Sequence, residues 1–140
     1  MTPYHKIMKS IVAHGYVHEW RFGDRAWHNN REWVAVSVHS GGTKIYLWSE
    51  HGNTTIITQQ GGTPLPTVEQ WKDLFIKSGY ELKVICLVDG LIRLTVEDMT
   101  KMNTKPIKEG CFDLHIGLAI LYARVALNLK WNEEKGEFER

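Results

Sequence analysis

Cysteine and long apolar runs are scarce in this sequence, and strong net charge is absent. The two cysteines, Cys86 and Cys111, fall in different predicted elements, which favours free thiols in a reducing compartment over a disulfide framework. No apolar run reaches the roughly 18 residues that a membrane-spanning helix needs, and the N-terminal stretch lacks the apolar segment of a signal peptide. The formal charge of +1 provides no bulk field that would attract nucleic acid or anionic lipid. We therefore expect a cytoplasmic protein without membrane contact.

The motifs that carry common catalytic chemistry are also missing. The chain has no GxSxG, Walker A, GxGxxG, HExxH or paired CxxC pattern, so no catalytic residue and no cofactor are predicted. His14 and His18 have a spacing that suits zinc on a helix, but Gly15 interrupts a helix there, and no metal is predicted. Cys111 precedes a predicted helix N-terminus, a position that lowers a thiol pKa, and His115 lies one turn away. Packing is the simpler role for both residues, so the protein is not expected to be an enzyme.

Apolar periodicity predicts an α+β fold in a single domain that spans residues 1–140. Runs of strands and runs of helices, without βαβ alternation, indicate an antiparallel meander sheet with flanking helices. The predicted elements are a helix over Pro3–Ala13, a β-meander over 15–59, a linker over 60–66, a helix–hairpin–helix segment over 67–130 and a flexible tail over 131–140. Within the meander, strands are predicted at 15–22, 32–39, 43–49 and 54–59, and a polar loop at 23–31. Hairpin turns are predicted at Ser40-Gly41-Gly42 and Asp89-Gly90, and helix N-caps at Thr2 and at Thr67, the second in a capping box with Gln70. The first strand of the later hairpin, at 80–89, reads as buried, with Cys86 as an inert core thiol.

The strongest helix signal is the C-terminal stretch 110–130. Asp113 is a suitable N-cap, and the apolar residues after it form two rows on opposite sides of the helix. This pattern predicts a long, doubly apolar C-terminal helix that is covered on both sides. We expect one row to contact a second copy, which makes the protein a homodimer or a higher oligomer; cover by the N-terminal helix or the 97–108 loop is the alternative. The predicted interface residues are Ile116, Ile120, Ala123 and Leu127.

Tryptophan is unusually frequent, with six in 140 residues. Four tryptophans in the first half are interleaved with basic side chains, which is the chemistry of a stacking platform with phosphate-binding edges. Such a platform suits a base, a nucleotide or single-stranded nucleic acid. The alternative is that Trp33 and Trp48 pair across a hairpin and the other two pack in the core. The candidate ligand-binding residues in this region are Trp20, Arg21, Arg25, Trp27, Trp33 and Trp48.

Arg124 is the remaining candidate for ligand binding. It lies in the middle of the C-terminal helix between the two apolar rows, beside Gly117 on the same polar seam. A partly buried arginine needs an anion nearby. That anion is either a carboxylate of the chain itself or a bound phosphate.

The residues around this arginine resemble a known family. Cys111–Phe112–Asp113, followed by Gly117, Leu118–Ala119 and Arg124, resembles a pattern near the end of the first Thoeris anti-defence family. Members of that family are small phage-encoded proteins that sequester cyclic ADP-ribose signals. The resemblance implies an oligomeric α+β protein without catalytic machinery, and it implies Arg124 as a phosphate contact.

These observations favour a non-enzymatic, phage-encoded binding protein that sequesters a nucleotide signal or blocks a host defence protein. The expected partners are a second copy of the chain, a small nucleotide or a host defence protein, in the cytoplasm of the host cell. One alternative is a nucleic-acid-binding accessory protein that uses the Trp/Arg-rich strands, although the near-zero net charge disfavours long nucleic acid. The other alternative is a small hydrolase or nuclease.

Overall fold

The computed structural model of the protein describes residues 2–102 and 104–140. The chain folds into two units, Met1–Pro66 and Thr67–Arg140. Both units combine helices with antiparallel strands, so the predicted α+β class is confirmed. Within the described ranges, no helix is both long and apolar enough to cross a membrane.

The first unit begins with helix α1, Pro3–Ala13, at the position that the sequence predicts. The N–H of His5 donates to Thr2 Oγ1 at 3.2 Å, and the N–H of Thr2 donates to His5 Nδ1 at 3.3 Å. This reciprocal cap satisfies main-chain donors that a helix start otherwise leaves open. Gly15, with φ at 106°, lies just beyond the end of the helix.

Five antiparallel strands form the sheet of this unit, in the order β4-β3-β2-β1-β5. The strands are β1 Arg25–His28, β2 Arg31–His39, β3 Lys44–Trp48, β4 Thr54–Thr58 and β5 Thr63–Pro64. One side of the sheet, the inner face, carries a buried cluster of Trp20, Ala26, Trp33, Ala35, Ile45, Leu47 and Ile57. The opposite side, the outer face, carries the exposed apolar side chains Val34, Val36, Tyr46, Trp48 and Ile56.

The start of the predicted meander needs correction. Residues 15–22 form no strand, although their alternation is real, since Tyr16, His18 and Trp20 are buried and Val17 is 58% exposed. Residues 23–31, predicted as a loop, contain β1. Asn29 and Asn30, with φ of 50° and 59°, form the two-residue turn into β2, where His28 and Arg31 pair. A turn with two positive φ angles favours asparagine. The predicted linker 60–66 contributes β5, which pairs with β1.

The second unit begins with helix α2, Val68–Lys77, and the predicted capping box is present. The N–H of Gln70 donates to Thr67 Oγ1 at 3.2 Å, and the N–H of Thr67 donates to Gln70 Oε1 at 2.8 Å. Three antiparallel strands follow in the order β6-β7-β8. They are β6 Tyr80–Cys86, β7 Ile92–Asp98 and β8 Ile107–Cys111. The predicted Asp89-Gly90 turn joins β6 to β7.

Two predictions for this sheet are wrong. Strand β6 is not buried, because alternate residues face solvent, Ile85 is 46% exposed and Cys86 is exposed. The 97–108 segment is not all irregular, since β7 extends to Asp98 and β8 begins at Ile107. Strand β8 is held by its pairing with β7 rather than by an apolar pattern of its own.

The C-terminal helix, α3, spans Leu114–Ala126 and is shorter than predicted. The N–H of Ile116 donates to the capping carboxylate of Asp113 at 3.0 Å, as expected. The helix ends at Ala126 because Asn128 adopts a left-handed conformation with φ at 55°. The long, doubly apolar helix is therefore not confirmed.

The predicted interface row on α3 is partly covered by its own unit. The helix contacts α2 and the strands β7 and β8, and the ring centroid of Tyr122 lies 5.5 Å from that of Phe75. Ala123 is fully buried, so it offers no surface to a second copy, whereas Ile116, Ile120 and Leu127 are half-buried. The interface predicted at Ile116, Ile120 and Leu127 therefore stays a prediction, without Ala123.

The end of the chain forms a hairpin in place of the flexible tail that was expected. Strands β9, Lys130–Asn132, and β10, Glu137–Glu139, pair antiparallel. Phe138 is 1% exposed, and its ring centroid lies 4.9 Å from that of Trp131. This aromatic contact fixes residues that sequence composition alone marks as charged and frayed.

Candidate functional site

The Trp/Arg set that the sequence singles out does not form one platform. Trp20 and Trp33 are 5% and 6% exposed and belong to the inner-face core. Their indole N–H groups donate to the main-chain carbonyls of Gln59 at 2.9 Å and of His28 at 2.8 Å. Burial and satisfied donors give these two residues a packing role.

The other members of the set lie outside that core, and three of them are neighbours in the sheet register. Arg25 and Trp48 both lie opposite Val34, and Trp27 lies opposite Glu32, the ion-pair partner of Arg25. Trp27 is half-buried and stacks on His5, with ring centroids 4.2 Å apart, and Trp48 is 46% exposed on the outer face. Trp48 lies opposite Val34 in the ladder, so it does not pair with Trp33 across the hairpin. The arginines are paired with carboxylates: Arg25 lies 2.6 Å from Glu32, and Arg21 lies 3.5 Å from Glu19.

A buried Tyr–His–Asp chain in the first unit was not predicted from the sequence. Tyr16 Oη lies 3.0 Å from His18 Nδ1, and His18 Nε2 lies 2.9 Å from Asp24 Oδ2. All three residues are buried. Asp24 Oδ2 also accepts from the N–H of Arg21 at 2.8 Å. This network fixes the 16–24 segment, and only the alternation of Tyr16 and His18 hinted at it.

Arg124 is placed by local structure at an open surface of the second unit. It lies in the last turn of α3, where a cation is stabilised by the helix dipole, and its side chain is 52% exposed. Its guanidinium forms an ion pair with Glu109 of β8, whose side chain is 41% exposed. Of the two anions considered from sequence, the one beside Arg124 is thus a carboxylate of the chain.

Three adjoining cavities share Arg124, with volumes of 430, 650 and 230 Å³. We call this surface the Arg124 face. Besides Arg124, the residues that characterise it are Tyr80, Asp98, Lys101, Lys105, Glu109, Lys130, Trp131, Glu133 and Arg140. The sequence pointed to Arg124 alone, because the others come from strands, loops and the C-terminal hairpin that only the fold brings together.

The 430 Å³ cavity has an excess of positive charge. Lys101, Lys105 and Arg124 line it together with one carboxylate, Asp98. Hydrogen bonds from the hydroxyl and N–H of Thr100 lower the pKa of Asp98, so this carboxylate stays ionised. The remaining charge suits an anionic ligand.

Tyr80 supplies an aromatic wall to the same cavity. Its hydroxyl donates to the carbonyl of Val125 at 2.9 Å, which holds the ring against α3. Burial raises the pKa of Tyr80, and the nearby Asp98 carboxylate raises it further. The phenol therefore remains a neutral hydrogen-bond donor at physiological pH.

The 650 Å³ cavity shares Arg124 and is lined in part by the C-terminal hairpin. Lys130 and Arg140 add positive charge, and Glu109 and Glu133 add negative charge. Trp131 contributes an aromatic surface that is half-buried against Phe138. The cavity therefore offers both a stacking surface and cationic groups.

Cys111 and Gly117 form a tight contact at the 230 Å³ cavity. A Cβ added at Gly117 would lie 2.8 Å from Cys111 Cβ and 3.2 Å from Leu94 Cδ1, so glycine permits α3 to approach β8. Burial raises the pKa of Cys111, and the Asp113 carboxylate raises it further. The shift is opposite to the lowering that a position before a helix N-terminus favours, and burial is its largest cause.

The histidines considered for zinc have other contacts. His14 Nδ1 lies 2.8 Å from the carbonyl of Ser10, and His18 belongs to the buried chain with Asp24. Over residues 2–102 and 104–140, no three His, Cys, Asp or Glu side chains come together in a metal-binding group.

Comparison of the chain with protein-family models, with curated proteins and with solved structures gives no match. The function of the chain therefore has to be inferred from its own geometry.

Proposed function

We propose that the protein is a non-enzymatic binding protein that sequesters a small phosphorylated ligand of the nucleotide class on the Arg124 face. The observation that carries this proposal is the convergence of three cavities on one half-exposed arginine. A guanidinium in such a position can donate two parallel N–H groups to a phosphate. Lys101 and Lys105 add compact positive charges in the 430 Å³ cavity.

The dimensions and walls of the cavities suit the same ligand class. Volumes of 430 and 650 Å³ fall within the roughly 300–1,000 Å³ of small-molecule sites. A nucleotide needs a cationic surface for its phosphates and an aromatic or apolar surface for its base. Tyr80 and Trp131 supply aromatic surfaces in the two cavities, both of which Arg124 lines.

Glu109 acts in this proposal as an exchangeable counter-ion. Its carboxylate and the Arg124 guanidinium are both about half exposed to solvent. An ion pair of that kind is weak, so a ligand phosphate can take the place of the carboxylate. Glu109 thus balances the positive charge of Arg124 until an anionic ligand binds.

The resemblance of residues 111–124 to the Thoeris anti-defence family supports a more specific role. That segment contains Arg124, the one residue to which the resemblance assigns a phosphate contact. The proposed role is that of a phage-encoded protein that acts in the host cytoplasm and withholds a cyclic ADP-ribose-type signal from a defence system. The alternative target is a host defence protein bound directly, in which case neither nucleotide should bind.

Isothermal titration calorimetry with cyclic ADP-ribose and ADP-ribose tests the proposal. The wild-type protein should bind at least one of these nucleotides, and Arg124→Ala should abolish or strongly weaken binding. Arg93→Ala is the matched control, since Arg93 is an exposed arginine on β7 of the same unit that does not line the three cavities. Equal losses in the two variants, or no binding of either nucleotide, would contradict the proposal.

The two alternative functions, nucleic-acid binding and hydrolase or nuclease activity, predict different experimental results. Nucleic-acid binding should weaken steeply between about 50 and 200 mM salt, whereas uptake of a small nucleotide should change much less. A hydrolase should convert the nucleotide, which chromatography of the recovered ligand detects, and a metal-dependent nuclease should lose activity on chelation. Recovery of the unchanged nucleotide from the complex is the outcome expected here.

A further inference from the structure

The two edges of the five-stranded sheet are built differently. At one edge, β5 consists of Thr63 and Pro64, and the proline has no N–H to offer to a further strand. At the other edge, β4 is five residues long, with the sequence TTIIT. It has no charge, no proline and no shift in its register with β3. Charged side chains, proline and β-bulges are features that keep edge strands from pairing with other chains. Because β4 has none of the three, its edge is unprotected.

The hairpin geometry shows which main-chain groups face β3. At the entrance to the β3–β4 hairpin, the N–H of Ser49 donates to the carbonyl of Asn53 at 2.9 Å. Along an antiparallel strand, residues whose main-chain groups bond to the strand on one side alternate with residues whose main-chain groups point to the opposite side. Thr55 and Ile57, two and four residues beyond Asn53, therefore bond to β3.

The other three residues of β4 direct their main-chain groups toward the open edge. These are Thr54, Ile56 and Thr58. The carbonyl of Thr58 already accepts from the N–H of Gly61 at 3.0 Å, which leaves the middle of the strand as the centre of the open edge. Ile56 is therefore the residue about which another strand would pair.

We propose that β4 pairs antiparallel with β4 of a second copy, about a two-fold axis at Ile56. Read in reverse, TTIIT matches itself at positions 54, 56 and 58, the three residues that face the open edge. With this register, Ile56 faces Ile56 of the second copy, and Thr54 faces Thr58. The two Ile56 residues exchange two N–H···O=C bonds, and five strands from each copy form one continuous sheet. Such a contact is self-complementary, as a two-fold interface requires.

The side chains at this edge also favour a second copy of the chain as the pairing partner. Ile56 is 55% exposed on the outer face, and Tyr46, its partner on β3, is 37% exposed. Pairing at Ile56 places this row next to the same row of the second copy, so an apolar strip crosses the interface. β-branched and aromatic side chains pack well across neighbouring strands. A second copy brings a neutral, β-branched strand of matching length because it has the same sequence.

Sedimentation velocity over about 1–100 µM protein tests the pairing. The wild type should dimerise, and Ile56→Lys should raise the dissociation constant at least about tenfold, because it places two like charges opposite each other. Val36→Lys is the matched control, since Val36 is 40% exposed on the outer face but lies on β2, away from the edge. It should dimerise as the wild type does, and circular dichroism should show that both variants are folded.

A disulfide tests the register directly. Hydrogen-bonded antiparallel pairs have Cα atoms about 5.5 Å apart, within the range that a disulfide spans. In a chain that also carries Cys86→Ser, Ile56→Cys should form a covalent dimer on oxidation, and peptide mapping should find position 56 joined to position 56. Val36→Cys in the same background should stay monomeric under denaturing conditions. A wild-type protein that is monomeric at about 100 µM, or equal cross-linking of the two variants, overturns the proposal.

Discussion

Replacing Glu109 by glutamine is expected to strengthen ligand binding on the Arg124 face. The Glu109 carboxylate forms the ion pair with Arg124, so a ligand phosphate has to compete with it for the guanidinium. Glutamine retains nearly the same size and removes the charge. The guanidinium is then available to the phosphate without an exchange of partners.

The exposure of the pair sets the magnitude of this effect. The Arg124 and Glu109 side chains are 52% and 41% exposed, and ion pairs of this kind contribute roughly 0–1 kcal/mol. Because the ion pair contributes no more than about 1 kcal/mol, Glu109→Gln should lower the free energy of unfolding by no more than that. The gain in binding has the same limit, so the dissociation constant for ADP-ribose should fall by up to about fivefold. By contrast, Arg124→Ala removes charge-assisted hydrogen bonds worth about 1.5–3 kcal/mol, so the constant should rise roughly 10- to 150-fold.

Calorimetric titration of both variants in one buffer measures these changes, with thermal unfolding as the check on the fold. Glu133→Gln serves as the control for charge in general, because Glu133 lines two of the same cavities while the carboxylate paired with Arg124 is that of Glu109. Binding that is weakened by Glu109→Gln in a folded protein would refute the reasoning, since it would mean that Glu109 itself contacts the ligand.

Three further predictions concern packing and thiol chemistry. Trp20→Ala should lower the free energy of unfolding by about 3–5 kcal/mol, and Trp48→Ala, at a half-exposed site, by about half as much or less. Urea unfolding followed by circular dichroism measures both losses, and equal losses would contradict the assignment of Trp20 to the core. Gly117→Ala should cost about 1–3 kcal/mol of overpacking, offset in part by about 1 kcal/mol of helix propensity, so an increased Tm would count against the Cys111 contact. Since burial raises the pKa of Cys111, its alkylation should need a higher pH than in the unfolded chain, and exposed Cys86 should react first in a mass-spectrometric time course.

Local features of the chain were predictable wherever neighbouring residues decide the conformation. The caps formed by Thr2, Thr67 and Asp113 lie where the sequence indicates, because each joins a side chain to an N–H three residues away. The hairpin turns after β2 and β6 were found for the same reason, through their glycines. The Asn29-Asn30 turn was missed, although it obeys the same rule of positive φ.

Features that depend on distant partners were predicted poorly. Strand β8 has a polar sequence and exists through its pairing with β7. The C-terminal hairpin looks charged and frayed until Phe138 is buried. Cys86 reads as a core thiol from its apolar neighbours but is exposed. It lies on the half-buried side of β6 with Leu82 and Val84, at the last residue of the strand, where the alternation of burial stops.

The same distinction between local and long-range features applies to the candidate site. Sequence alone determined that an arginine would lie on a capped helix between apolar residues, and that it would need an anion, because helix periodicity and charge are local properties. Only the tertiary structure decided that Glu109 would be that anion and that Lys101, Lys105 and Trp131 would border the same cavities. Likewise, it buried Trp20 and Trp33 and left Trp48 exposed, although all three read alike in the sequence. The physical reason is that burial and ion pairing are set by residues far apart in the chain, whose positions are fixed only when strands and helices pack.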